Sequence, residues 1–150
     1  MAAIQGKHPG GSIGPFSKAL LLARIWIMAV RIQWGLWRRP LPALVDELDQ
    51  VHGGRPIPPA LLSRAVSRGL RVGRWHPRCL LRSLVLLHFL RAQGEPAQLV
   101  IGLRRSSRTA DAHAWVELRG RDIGPLPGGS GHEELTRYPR VSGTPPLFDA

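Results

Sequence analysis

Between about Ser17 and Trp37 the chain turns apolar, in the runs Ala19-Leu20-Leu21-Leu22-Ala23 and Ile25-Trp26-Ile27-Met28-Ala29-Val30, while Arg24, Arg31 and Arg38 recur every seven residues. On a helix these arginines form one slowly drifting stripe opposite a broad apolar surface. A charge costs a few kcal/mol at the centre of a bilayer, and the uninterrupted run before Arg24 is too short for a signal-peptide core. The pattern therefore predicts a helix that covers a globular core or docks a partner. Membrane-surface association through Trp26, Trp34 and Trp37 stays open without being favoured.

Pro40 and Pro42 end this helix, and Leu41 to Gln50 reads as a short second one, broken by His52-Gly53-Gly54. Pro58 and Pro59 suit the first positions of a third helix reaching about Gly69, whose apolar face is Leu61, Leu62, Ala65 and Val66. From about Arg78 to Gln93 leucines, Val85 and Phe89 follow so continuously that the helix must be buried on most sides, and Gly94 closes it. Gln98 to Leu103 and Ala112 to Leu118 have strand composition, and Arg119-Gly120-Arg121 marks a tight turn into a third strand from Asp122 to Leu126. Helices first and an antiparallel sheet after is an α+β pattern. The expected organisation is a flexible segment over 1–16, a helical part over 17–70, a catalytic core over 71–140 and an irregular tail over 141–150.

A chain of 150 residues is one domain in size. Its formal charge of +11 is carried almost entirely by arginine, Lys7 and Lys18 being the only lysines. The arginines are scattered, with no basic stripe interleaved with stacking aromatics, so nucleic acid is not an expected partner. One cysteine excludes an internal disulfide framework and any multi-cysteine zinc site, and makes the cytoplasm the default compartment. His52, His76, His88 and His132 lack ligand spacing, so no metal is expected. No cofactor is implied either.

That single cysteine, Cys79, stands where a loop becomes the apolar helix, in Arg78-Cys79-Leu80-Leu81-Arg82-Ser83-Leu84, and His113 follows on the second strand in Asp111-Ala112-His113-Ala114-Trp115-Val116-Glu117. A helix start, with the positive end of its macrodipole and its unpaired N–H groups, stabilises a thiolate nucleophile and a developing oxyanion. Arg78 and Arg82 act in the same direction. A lone cysteine with a histidine elsewhere in the chain is a candidate nucleophile. Trp75, His76 and Trp115 are candidate walls of a substrate cleft.

Those two motifs, with Gly94-Glu95-Pro96-Ala97-Gln98-Leu99-Val100-Ile101-Gly102 between them, follow the layout of papain-like and transglutaminase-like thiol enzymes. They resemble in particular the leader peptidases of lasso-peptide biosynthesis, transglutaminase-like cysteine proteases. The resemblance covers about residues 70–140. It implies Cys79 as nucleophile and His113 as general base and then acid, with the Cys79 N–H as oxyanion donor. It also implies a precursor peptide as substrate, a separate leader-recognition protein, and a macrolactam synthetase that receives the core peptide. The family carries an aspartate about a dozen residues after the histidine, where this chain has Gly124-Pro125-Leu126. Asp122 and Asp111 are the substitutes nearest in sequence, each displaced along its strand, and Glu133 or Glu134 is a further option. Two other functions share this layout: a catalytically impaired peptide-binding or partner protein, and an acyltransferase or amidase of the same fold.

Overall fold

A computed structural model describes residues 14–48, 56–71, 78–104, 112–124 and 131–139. The expected flexible segment and tail fall almost wholly outside these residues. Four helices come first, α1 (Pro15–Arg38), α2 (Leu41–Glu47), α3 (Pro59–Gly69) and α4 (Cys79–Ala92). Four strands follow, β1 (Ala97–Arg104), β2 (Ala112–Leu118), β3 (Arg121–Asp122) and β4 (His132–Tyr138). The result is an α+β fold, as the patterning requires.

α4 is the centre of the molecule. Leu84, Val85, Leu87 and Leu90 have no exposed surface, because the helix packs against α1 and α3 on one side and against β1 and β2 on the other. Gly94 closes it with a positive φ of 85°, and the amide N–H of Gly94 and of Glu95 donate to the carbonyls of Arg91 and Leu90, at 2.8 and 3.0 Å. The sheet is antiparallel in the order β3-β2-β1-β4. Leu118 pairs with Arg121 and Glu117 with Asp122, the register that a two-residue turn at Arg119-Gly120 imposes. Both turn residues take positive φ, 52° and 75°, as a primed hairpin turn needs.

Alternation divides the sheet cleanly. Ala97, Leu99, Ile101, Ala114, Val116 and Leu118 face the helices and join the core. Gln98, Val100, Gly102, His113, Trp115 and Glu117 occupy the other face, paired as Gln98 with Glu117, Val100 with Trp115 and Gly102 with His113. A Cβ on Gly102 would lie 2.7 Å from the Glu133 carbonyl oxygen and 2.9 Å from the Trp115 ring. Glycine is required there because β4 backbone and an indole both close on it. Gly102→Ala is expected to destabilise by about 2 kcal/mol through overpacking, read as a fall of roughly 5 °C in Tm.

Two sequence expectations need correction. The third strand stops at Asp122 rather than running to Leu126; residues 125–130 lie outside the described region. In α1 the arginines do not oppose a single apolar surface, for the helix is apolar on two sides. Ile25, Ala29 and Ile32 are sealed into the core, whereas Ile27, Val30, Trp34 and Trp37 are exposed. Of the three tryptophans considered for a membrane surface, Trp26 instead packs on the core. By length and composition Phe16–Arg38 could cross a membrane, but its buried face is already committed to α3 and α4.

Candidate active site

The carbonyls of Ala112, Ala114 and Val116 point from the same edge of β2, since residues two apart repeat along a strand. β3 is too short to cover this edge. The Ile123 amide N–H takes the Val116 carbonyl at 3.0 Å, and α4 supplies what β3 does not. The Ser83 hydroxyl donates to the Ala114 carbonyl at 2.9 Å, and the Cys79 thiol approaches the Ala112 carbonyl with Sγ at 3.9 Å. Cys79 and Ser83 are four residues apart on α4 and so share one helical face. The thiol therefore sits against the edge of β2, at its first residue, whereas the His113 side chain belongs to the sheet face turned away from α4.

His113 is the next residue. It and Cys79 border one small pocket of about 40 Å³, walled also by Arg82, Ser83, Val66 and Gly124. Room of that order admits one carbonyl-sized or water-sized group beside the sulfur. Among the described residues no side chain caps the start of α4, and its first-turn N–H groups, which have no partner within the helix, are donors an oxyanion could use. The Arg82 Nε is buried with no hydrogen-bond partner among the described residues, which places a free donor in the same wall.

The imidazole of His113 is one corner of a triangle of rings with Trp115 and His132, which are themselves 6.1 Å apart. It stacks on Trp115 with centroids 6.0 Å apart and planes at 18°, and it tilts against His132 at 5.1 Å. Trp115 is itself fixed, its indole N–H donating to Glu117 at 3.0 Å. Glu117 accepts from Arg137 at 2.7 Å, and Arg137 holds both carboxylate oxygens of Glu134, at 2.9 and 2.8 Å. This chain of polar contacts runs along the sheet face that carries His113 and holds the ring on which the imidazole rests.

The Arg137 hydrogen bonds keep the Glu134 carboxyl below its usual range. A carboxylate with a lowered folded value adds stability that is present above the ordinary value, near pH 4.3, and lost as pH falls through the lowered one. The Glu134 side chain is 43% exposed, so screening keeps the effect to a few tenths of a kcal/mol. Thermal unfolding of wild type and Glu134→Gln should accordingly differ slightly at pH 7 and coincide near pH 2.5.

Asp122 is not placed to orient His113. It pairs with Glu117, four residues along β2 from the histidine, about 13 Å at the strand rise, and its carboxylate accepts the Gly124 N–H at 2.7 Å. Glu134 is engaged by Arg137. Asp111, Trp75 and His76 lie outside the described residues. Among the described residues no group of His, Cys, Asp and Glu could hold a metal. His132 is the residue that spacing alone did not single out. It opens β4, which returns beside β1, and its Nδ1 is buried with no hydrogen-bond partner among the described residues.

A thiol at the start of a buried helix, set against the strand that carries a histidine, defines a protein with the layout of the thiol hydrolases and acyltransferases. Residues 26–138 match the transglutaminase-like superfamily, and the chain belongs to it. That superfamily includes cysteine peptidases. No curated protein and no solved structure matches the chain.

Proposed function

We propose that this protein is a cysteine peptidase of the transglutaminase-like superfamily that removes the leader from a ribosomally made lasso-peptide precursor in the cytoplasm. The observation that carries the reading is the placement of Cys79 Sγ 3.9 Å from the carbonyl of the residue preceding His113, in a shared pocket. The motif order and spacing around these two residues supply the subtype.

In this mechanism His113 takes the thiol proton, and the Cys79 sulfur attacks the carbonyl at the leader–core junction. The oxyanion is held by N–H groups at the start of α4. His113 returns the proton to the departing amine, leaving a thioester on Cys79. Water, deprotonated by His113, then releases the leader acid and the free thiol. The Trp115 ring, held by Glu117, supports the imidazole through this cycle. A separate recognition protein presents the precursor leader, and a macrolactam synthetase takes the core peptide.

A second reading is favoured by two observations, the absence of a carboxylate at Gly124 and the distance of Asp122 from His113. It is a protein of the same fold that holds the peptide without cleaving it. Incubating the chain with precursor and recognition protein, and following leader release by mass spectrometry, separates the two. Cleavage by wild type that Cys79→Ala and His113→Ala abolish supports the peptidase. Binding without cleavage supports the second reading.

A further inference from the structure

The face of α1 turned away from the core carries Phe16, Leu20, Ala23, Ile27, Val30, Trp34 and Trp37, all exposed, the six larger ones by 55% to 85%. The steps between them alternate four and three without a break over the length of the helix. This is the period with which one helix meshes into another, each apolar knob entering a hole on its partner. A helix lying on a lipid surface shows the same spacing, so the choice of occupant rests on the charge beside the seam.

Charge lies on one side of the seam only. Arg24, Arg31 and Arg38 each follow a seam residue directly, at the flank where paired helices exchange ion pairs. None of the three meets a carboxylate among the described residues; Arg24 lies over Phe89 and Arg38 over Trp34. The opposite flank, Ala19, Trp26 and Gln33, is uncharged. Beside the arginine row runs a groove of about 600 Å³ toward α2, and Arg24, Arg31, Arg38 and Arg39 line it. Its one carboxylate, Glu47, is already held by Arg39 at 2.5 Å.

We propose that this surface binds an amphipathic helix of another protein, one with the same four–three apolar seam and acidic side chains along the edge that meets Arg24, Arg31 and Arg38. A second copy of the chain is a poorer occupant. Antiparallel pairing would set arginine against arginine, and parallel pairing would set arginine against Ala19, Trp26 and Gln33. The surface does not depend on thiol chemistry at Cys79, and it stands or falls separately from the peptidase reading.

The test uses two synthetic peptides as long as α1, 24 residues, with leucine at four–three spacing and either glutamate or lysine at the flanking positions. Each is titrated calorimetrically into the full chain. The glutamate peptide should bind about tenfold or more tighter than the lysine peptide, and the preference should shrink from about 50 mM to about 0.5 M salt. The triple substitution Arg24→Glu, Arg31→Glu and Arg38→Glu should invert the preference. Ile27→Asp with Val30→Asp should remove binding of both peptides while leaving thermal unfolding unchanged, since both side chains face solvent. Equal affinity for the two peptides, or no binding of either, overturns the proposal. So does a stable dimer of the chain in light scattering that the Ile27→Asp and Val30→Asp pair dissolves. Binding to phosphatidylglycerol vesicles without discrimination between the peptides assigns the face to a membrane surface and overturns it equally.

Discussion

Cys79→Ala, His113→Ala and the double variant are expected to fall to one common residual rate of leader cleavage, about 10⁴-fold or more below wild type. The equality matters more than the size. In the proposed cycle neither group acts alone: the thiol is the nucleophile and the imidazole is its base. Removing one therefore removes what the other contributes, and the two losses do not add. Because Cys79 is the only cysteine in the chain, iodoacetamide labelling reports on the same pair without any substrate. As the base that accepts the thiol proton, His113 should speed this reaction, so His113→Ala should slow labelling, and Ala substitution of an exposed arginine such as Arg121 should leave it unchanged. His132→Ala should lower cleavage by a smaller factor, acting through the orientation of His113. Cys79 is half-buried and alanine fills nearly its volume, so the thermal transition should stay within about 3 °C of wild type. Additive losses, or labelling indifferent to His113, would show that the two residues do not form a catalytic pair.

How far the sequence led depended on whether a signal was local. The start of α4 at Cys79, its stop at Gly94 and the hairpin at Arg119-Gly120 are each dictated by residues within a turn of the feature, and all three were readable. The pairing of Leu118 with Arg121 follows only if the turn holds two residues, and the structure settles that register, which sets Asp122 away from His113. β4 was not readable. His132-Glu133-Glu134-Leu135-Thr136-Arg137-Tyr138 holds residues that disfavour strands, and it forms one because it lies at a sheet edge, where charge is tolerated and guards against further pairing. His132 was hidden with it, since its approach to His113 exists only once β4 has crossed to the far side of β1. The outward seam of α1 was hidden for a different reason: two apolar faces on one helix sum to a continuously apolar stretch, and only packing shows which of them the fold uses.

Arg91→Met is expected to destabilise the fold by about 3–5 kcal/mol, the largest stability loss among single substitutions at polar positions. In sequence this arginine is an unremarkable cation in the last turn of a helix, where it would suit the macrodipole. In the structure it is 1% exposed and serves as a backbone junction. Its Nε donates to the Ala97 carbonyl at 3.1 Å, Nη1 to Val45 at 3.2 Å and Nη2 to Tyr138 at 3.1 Å. One planar guanidinium thus ties α4 to the start of β1, to α2 and to the end of β4. Methionine fills most of the volume but leaves three carbonyls in the interior without their donor, and each such group keeps its desolvation penalty. Lysine would retain the charge yet cannot spread donors over that fan of acceptors, so Arg91→Lys should recover less than half of the loss. Chemical denaturation reads both, with the midpoint shifted and the slope unchanged if the fold stays two-state. Since β4 carries His132 and Arg137, loosening its end should also weaken the support of Trp115 and His113. Near the Tm of Arg91→Met, cleavage should therefore fail before the helical signal does, whereas simultaneous loss of both would mean that the sheet edge and the helical layer unfold as one unit.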